Sequence, residues 1–137
     1  MKETTQDRDN LGPTTAKILF WDIESSDLKA DFGIMLAFGY KFLGEEEAHV
    51  ITISDLKLFK KDRTDDSELV RLAYDILCSA DMWCTYYGSR FDIKFIQSRL
   101  LYHKVGILPP IPHVDLYDQA KKLSLHSYRL GLSLIHI

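Results

Sequence analysis

One short segment near the amino end constrains the fold more than any other part of the chain. Residues 16–24 (AKILFWDIE) are rich in β-branched and aromatic side chains and too short for a typical helix, so they predict a buried β-strand. This strand ends in two carboxylates, Asp22 and Glu24, two positions apart. Because side chains alternate between the faces of a strand, both carboxylates lie on one face. Any fold of this chain must therefore accommodate two acidic groups side by side at a strand end.

Two more strand patterns follow before any helical pattern. Residues 33–43 (GIMLAFGYKFL) and 49–55 (HVITISD) repeat the apolar, β-branched and aromatic character of the first segment. The polar residues 44–47 (GEEE) separate them as a turn. The pattern predicts two strands paired as a hairpin.

The rest of the chain alternates helical patterns with a strand. Apolar residues recur at helical spacing after Asp65 or Asp66, and Glu68 occupies a capping-box position. The later predicted elements are a strand at 82–87, an amphipathic helix at 91–105 and a helix at 115–123 with Asp115 as its cap. This order predicts an α/β fold, in which a ribonuclease H-like mixed sheet has flanking helices.

Length and composition fit one domain. The 137 residues are enough for one core and too few for two, and 46% hydrophobic with 27% charged residues is ordinary globular usage. Residues 1–15 lack hydrophobic periodicity and a secretory h-region, so we expect a disordered leader, a domain at 16–137 and a cytoplasmic location. The apolar stretches are too short for a bilayer, so no membrane contact is expected. A net charge of −3 argues against a protein that coats nucleic acid through a broadly basic surface.

The acidic residues allow two interpretations. Burying Asp22 beside Glu24 is unfavourable unless a cation or a bound proton offsets the repulsion, which favours a divalent metal site. The alternative is a solvated strand end at which both groups face water. Asp92 adds a third carboxylate where a strand gives way to a helix, and open α/β sheets tend to bind ligands at such places. It could equally cap that helix and interact with the positive end of its dipole.

The segments that carry these carboxylates resemble motifs of one family. Residues 21–24 (WDIE) and 87–96 (YGSRFDIKFI) resemble the first and second motifs of the DEDD superfamily of 3′–5′ exonucleases, which includes the proofreading domains of DNA polymerases. Residues 113–118 (HVDLYD) look like the next segment in the branch related to family B polymerases. The second motif commonly has Asn before its Phe-Asp pair, whereas Gly88 and Ser89 occupy that region here. The resemblance covers residues 16 to about 130.

This resemblance implies hydrolysis of phosphodiester bonds at the 3′ end of single-stranded DNA or RNA. Two ions roughly 3.5 to 4 Å apart would activate water and stabilise the attacking and leaving oxygens. Hard oxygen ligands favour Mg²⁺ or Mn²⁺. By position in the motifs, Asp22 would bind both ions, Glu24 the ion on the nucleophile side and Asp92 the other. These three residues are the predicted catalytic and metal-binding set.

The resemblance also implies contacts with the nucleic acid. Ser25, Ser26 and Leu28 belong to the loop after the first motif, which would face the terminal nucleotide or form an ordinary turn. Phe91 could stack on a base or close the core. Arg90 could contact phosphates or lie on a solvated helix face. The same two alternatives apply to Lys94, Lys121 and Lys122.

The third motif of the family supplies a fourth carboxylate, a few residues after a Tyr or His. This sequence has no Asp or Glu after Asp118, and residues 131–137 (GLSLIHI) do not resemble the family. His126 and Tyr128 are not followed by the required Asp, so surface or core roles are expected for them. We therefore expect a domain that is incomplete at its C-terminus and weakly active or inactive. The alternatives are an inactive ribonuclease H-like module that binds nucleic acid or a partner protein, and an α/β interaction domain without a nucleic-acid role.

Overall fold

The computed structural model describes residues 16–125 and 127–129. In chain order the elements are β1 (Ile18–Ser25), β2 (Met35–Phe42), β3 (His49–Thr52), a 3₁₀ turn (Ile53–Asp55), α1 (Lys57–Lys61), α2 (Ser67–Cys78), β4 (Met82–Thr85), α3 (Asp92–Tyr102), β5 (His113–Asp115) and α4 (Leu116–Ala120). The predicted leader at 1–15, His126 and the C-terminal segment 131–137 lie outside the described residues. No helix among the described residues is long and apolar enough to cross a membrane.

The five strands form one mixed sheet in the order β3-β2-β1-β4-β5. β1 pairs antiparallel with β2, and β2 pairs antiparallel with β3, which confirms the predicted hairpin. β4 runs parallel to β1 on its other side, and β5 runs parallel to β4. The carboxyl ends of β1, β4 and β5 therefore meet at the same edge of the sheet, and the predicted mixed α/β architecture is confirmed.

The core lies on one face of this sheet. β1 alternates strictly, with Leu19, Trp21 and Ile23 buried and the residues between them turned to the other face. The helix α2 contacts both β2 and α3. The largest fully buried apolar side chains are Phe38, Leu19, Met35, Leu69, Leu77, Ile96, Leu100 and Val70. Burial of one apolar face leaves the opposite face of the sheet to carry the acidic residues of β1.

A buried ionic cluster joins the helices to the sheet. The carboxylate of Asp66 is fully buried and accepts hydrogen bonds from the Met35 main-chain N–H (2.8 Å), from Arg99 Nη2 (2.7 Å) and Nε (3.0 Å), and from His103 Nε2 (2.5 Å). Arg99 also donates to the carbonyl of Ala30 (3.1 Å). The cluster therefore ties α2, α3, the start of β2 and the loop after β1 to one another.

The structure differs from the predictions in three local features. Glu68 does not close a capping box, because its carboxylate accepts from the main-chain N–H of Leu58 in α1 (3.2 Å). The helix α1 and the three-residue strand β5 have no predicted counterpart. The helix predicted at 91–105 ends at Tyr102, and Lys104 then adopts a left-handed backbone with φ 55°.

Candidate carboxylate site

Asp22 and Glu24 lie at the carboxyl end of β1, on the face opposite the core. Both are exposed, whereas the three residues that alternate with them along β1 are buried. Their partners across the antiparallel pair with β2 are Gly39 and Ala37, so β2 presents only small residues beside them. The strand period thus places both acids on an open part of the sheet.

Asp92 reaches the same place from the other side. It is the first residue of α3, and only 3% of it is exposed. Its carboxyl group lies within hydrogen-bonding distance of that of Asp22, and the charge of Glu24 acts on both. The N-cap position of α3 is occupied by Phe91. The structure therefore brings the strand-end and helix-start carboxylates together.

The electrostatics of this group are unfavourable for three negative charges. Burial, followed by the charge of Asp22 and the hydrogen bond to it, raises the pKa of Asp92 from 3.8 to about 7. Burial also raises the pKa of Asp22, against the opposing effect of the Ile23 main-chain N–H, and the charge of Glu24 raises it further. Near neutral pH, Asp92 holds a proton for part of the time, and that proton can be shared with Asp22.

The carboxylates of Asp22, Glu24 and Asp92 have only part of what a divalent-metal site requires. Among the described residues, no group of three or more His, Cys, Asp or Glu side chains is arranged to hold a metal ion. The pair Asp22 and Asp92 does have the hard oxygen chemistry that Mg²⁺ and Mn²⁺ prefer, and a cation would relieve its repulsion. The donor set therefore fits one ion at the pair, with Glu24 acting through its charge. Ligand roles for all three residues stay predictions.

The turn that leads into Asp92, residues 86–91, is tightly built; we call it the β4–α3 turn. A Cβ atom on Gly88 would lie 2.3 Å from Thr85 Oγ1 and 2.7 Å from Thr85 Cβ, so only glycine fits there. The Ile93 main-chain N–H donates to the Gly88 carbonyl (2.9 Å), so the first turn of α3 is hydrogen-bonded to the β4–α3 turn. Gly88 thus allows the close approach that fixes the position of Asp92.

Asp115 of β5 holds this turn from the neighbouring strand. Its carboxylate accepts from the main-chain N–H groups of Tyr87 (2.7 Å) and Ser89 (3.2 Å), and from the Ser89 hydroxyl. It also accepts from the Tyr117 main-chain N–H (3.0 Å), which confirms the predicted helix cap. Burial raises the pKa of Asp115, but these hydrogen bonds outweigh burial and the net pKa is lowered. Asp115 is therefore ionised and supports the turn.

Sequence reasoning found only the capping role of Asp115. Its second role is to hold the β4–α3 turn, and the sequence signal for that role was the unusual pair Gly88 and Ser89. The serine hydroxyl is a hydrogen-bond donor and needs an acceptor. Nothing in the spacing identified that acceptor, since Ser89 and Asp115 are 26 residues apart.

The loop after β1 is an ordered turn with an exposed tip. The Ser25 hydroxyl donates to the Asp27 carbonyl (2.7 Å), and the Ser26 hydroxyl accepts from the Ile34 main-chain N–H (2.9 Å). Leu28 is 82% exposed. The serine side chains are thus engaged within the loop, whereas Leu28 is free to face a ligand.

The other predicted substrate contacts have partners of their own. Phe91 is partly buried against the core, and its ring lies 5.7 Å from that of Phe95. Arg90 forms an ion pair with Asp118 (2.7 Å), and its guanidinium lies 4.9 Å from the ring centroid of Tyr117. The lysines at 94, 121 and 122 are exposed. Phe91 therefore closes the core, and Arg90 is a braced side chain rather than a free cation.

An open groove of about 350 Å³ runs along the face of the sheet that carries Asp22. Its lining combines apolar residues such as Phe20 and Val50 with polar groups such as Lys41 and Thr85. Asp22 is therefore accessible from this side of the sheet, whereas Asp92 lies buried behind it.

A five-stranded mixed sheet with acidic residues at the end of its central strand is a ribonuclease H-like α/β fold. The sequence model of the RNase_H superfamily matches residues 19–133, which is most of the chain. The chain therefore belongs to the RNase_H superfamily.

Among solved structures, the chain is similar to a family B DNA polymerase from the hyperthermophilic archaeon Pyrobaculum calidifontis, with a TM-score of 0.65 and 16% sequence identity. The similarity covers 81% of this chain and 17% of the polymerase chain. At this identity the similarity shows the fold alone. No curated protein matches the sequence.

Proposed function

We propose that this chain is a divalent-metal-dependent nuclease domain that acts on the 3′ end of single-stranded DNA or RNA. The observation that carries the proposal is the pairing of Asp22 with Asp92, in which β1 and α3 bring two carboxyl groups within hydrogen-bonding distance and the pKa of Asp92 rises to about 7. Structural carboxylates rarely occupy such an arrangement, because it destabilises the charged form of both groups. Superfamily membership and the likeness to a polymerase fold support the same function.

The chain's own residues would act mainly by binding and proton exchange. Asp22 and Asp92 would hold the ion, and the proton that they share near neutral pH would leave as the ion binds. Glu24, on the same face as Asp22, would add negative charge on the side from which water approaches. A bound Mg²⁺ or Mn²⁺ ion would supply activation of water and stabilisation of the leaving oxygen.

A direct test measures the shortening of a 5′-labelled single-stranded oligonucleotide with Mg²⁺, Mn²⁺ or EDTA. We expect metal-dependent shortening from the 3′ end that is abolished in Asp22→Asn and Asp92→Asn. Asp75→Asn, which alters an exposed carboxylate on α2, is the matched control and should retain activity. Digestion that persists in both site variants would contradict the assignment of the carboxylates.

One observation favours a second candidate, a nucleic-acid-binding module without turnover. The described residues contain no three-ligand metal group. Three carboxylates can bind an ion, but two ions must be held together for in-line attack. Oligonucleotide binding without digestion in any metal would favour this second function.

A further inference from the structure

Tyr87 has an unusual backbone for its residue type. Its φ is 68°, in the left-handed region that glycine and asparagine tolerate best. The conformation is imposed from both sides, because the Tyr87 N–H donates to Asp115 and the Tyr87 carbonyl accepts from the N–H groups of Arg90 (3.1 Å) and Phe91 (3.2 Å). A tyrosine in this conformation is less stable than a glycine would be. Stability alone would therefore favour a smaller residue at this position.

The ring of Tyr87 is also exposed, which gives a second and independent observation. The residue is 43% exposed, although it lies within the β4–α3 turn that leads into Asp92. Its ring meets that of Tyr117 edge to face at 4.8 Å, and the guanidinium of Arg90 lies 5.5 Å from its centroid. Strained backbone and exposed aromatic side chains both occur at ligand-binding sites more than elsewhere.

The neighbours of Tyr87 hold its ring in place. Arg90 lies over both tyrosine rings and is anchored by Asp118, while Lys121 Nζ lies 5.5 Å from the centroid of the Tyr117 ring. Because the charge of Arg90 is already paired, it braces the rings more than it attracts phosphate. The cluster of Tyr87, Arg90 and Tyr117 is thus a braced aromatic surface at the β4–α3 turn, which leads to Asp92; we call it the Tyr87 platform.

We propose that the Tyr87 platform stacks on a base of single-stranded nucleic acid and so holds the strand at the carboxylate pair. The inference takes its substrate class, single-stranded nucleic acid, from the proposed function. In such a strand the planar group available for stacking is the nucleobase. Stacking on an aromatic face tolerates any base, so the platform provides affinity without sequence preference.

The test measures binding without catalysis. The probe is a 5′-fluorescein-labelled oligothymidylate, and anisotropy is read in EDTA so that no digestion occurs. Tyr87→Asn removes the ring and suits the left-handed backbone, so it should fold at least as stably as wild type in a thermal melt. It should weaken binding by about 5- to 150-fold, whereas Tyr87→Phe should stay within about twofold of wild type. Tyr102→Asn, which alters a 72% exposed tyrosine at the end of α3, is the matched control and should bind normally.

A second probe separates stacking from a structural role. An oligonucleotide of the same length with abasic residues at its 3′ end offers the same phosphates without the bases. Wild type should prefer the intact probe, and Tyr87→Asn should bind both probes equally.

Equal affinity of Tyr87→Asn and wild type for the intact probe, or no binding by wild type, would overturn the platform. If binding depends on Tyr87 but the nuclease assay shows no digestion, the role of the Tyr87 platform in binding is supported and only the proposed catalysis is refuted.

Discussion

Replacing Asp92 with asparagine should change how the metal-free protein responds to pH. The carboxyl group of Asp92 has a pKa raised from 3.8 to about 7, because burial and then the charge of Asp22 disfavour its ionised form. A carboxyl group with a raised pKa contributes its full stability below the unfolded-state pKa. That stability is lost as pH rises from about 3.8 to 7 and stays lost at higher pH. Asp92→Asn cannot ionise, so the variant should escape this loss.

The expected change in the free energy of unfolding follows from the shift in the pKa of Asp92. A change in pKa from 3.8 to about 7 corresponds to about 4 kcal/mol between the two protonation states. The charge of Asp22 causes only part of this shift and is screened by water on the open face of the sheet, so we expect less than the full value, about 2 to 4 kcal/mol. In the Asp92→Asn variant the new side-chain amide would also be able to donate an N–H to the Asp22 carboxylate, which preserves one contact of the pair.

The assay is urea denaturation in EDTA at a series of pH values from about 4.5 to 8.5. Tryptophan fluorescence reports the unfolded fraction. Trp21 and Trp83 are 4% and 3% exposed in the core and therefore report global unfolding. The free energy of unfolding of Asp92→Asn, relative to wild type, should rise with pH and become positive above neutrality. Asp75→Asn on α2 should show no such trend. A difference between Asp92→Asn and wild type that is independent of pH would refute the electrostatic account of the site.

Further variants test the metal, the core cluster and the turn. Asp22→Asn should reduce the Mg²⁺-induced rise in melting temperature, as measured by thermal melts with and without millimolar Mg²⁺; an equal rise in both proteins would count against Asp22 as a ligand. Asp66→Ala leaves the Arg99 guanidinium buried without its partner and should lower the free energy of unfolding by about 3 to 5 kcal/mol in urea titrations. Gly88→Ala forces a Cβ against Thr85 and should destabilise by about 1 to 3 kcal/mol, with nuclease activity falling as the turn shifts.

Much of the fold was predictable because it depends on local periodicity. The strand at 16–24 and the hairpin after it are marked by alternation and by polar turn residues, and α2 by spacing of three and four. β5 was missed because its three residues directly follow a proline-rich connection and provide too short a pattern. α1 was missed for a similar reason, since none of its five residues is buried.

The site was predictable only in part, because its parts come from distant positions. The three acids were found by strand alternation and by resemblance, and the structure shows that two of them pair. In the buried cluster, Asp66 is separated along the chain from Arg99 by 33 positions and from His103 by 37 positions. Local sequence patterns span far fewer residues, so they could not reveal this cluster. Glu68 was assigned to a capping box because only local partners are visible in a sequence, whereas its actual partner belongs to α1.

Asp115 affects both the β4–α3 turn and the Asp22–Asp92 carboxylate pair. Its carboxylate fixes the β4–α3 turn through Tyr87 and Ser89, and its negative charge also raises the pKa of Asp92. A neutral acceptor could hold the same main-chain groups without adding repulsion. The ionised form that is present here therefore strengthens the turn while making Asp92 harder to ionise, and a cation at the Asp22–Asp92 pair would offset that repulsion. The turn is thus held by a group whose charge would increase the affinity of the neighbouring pair for a cation.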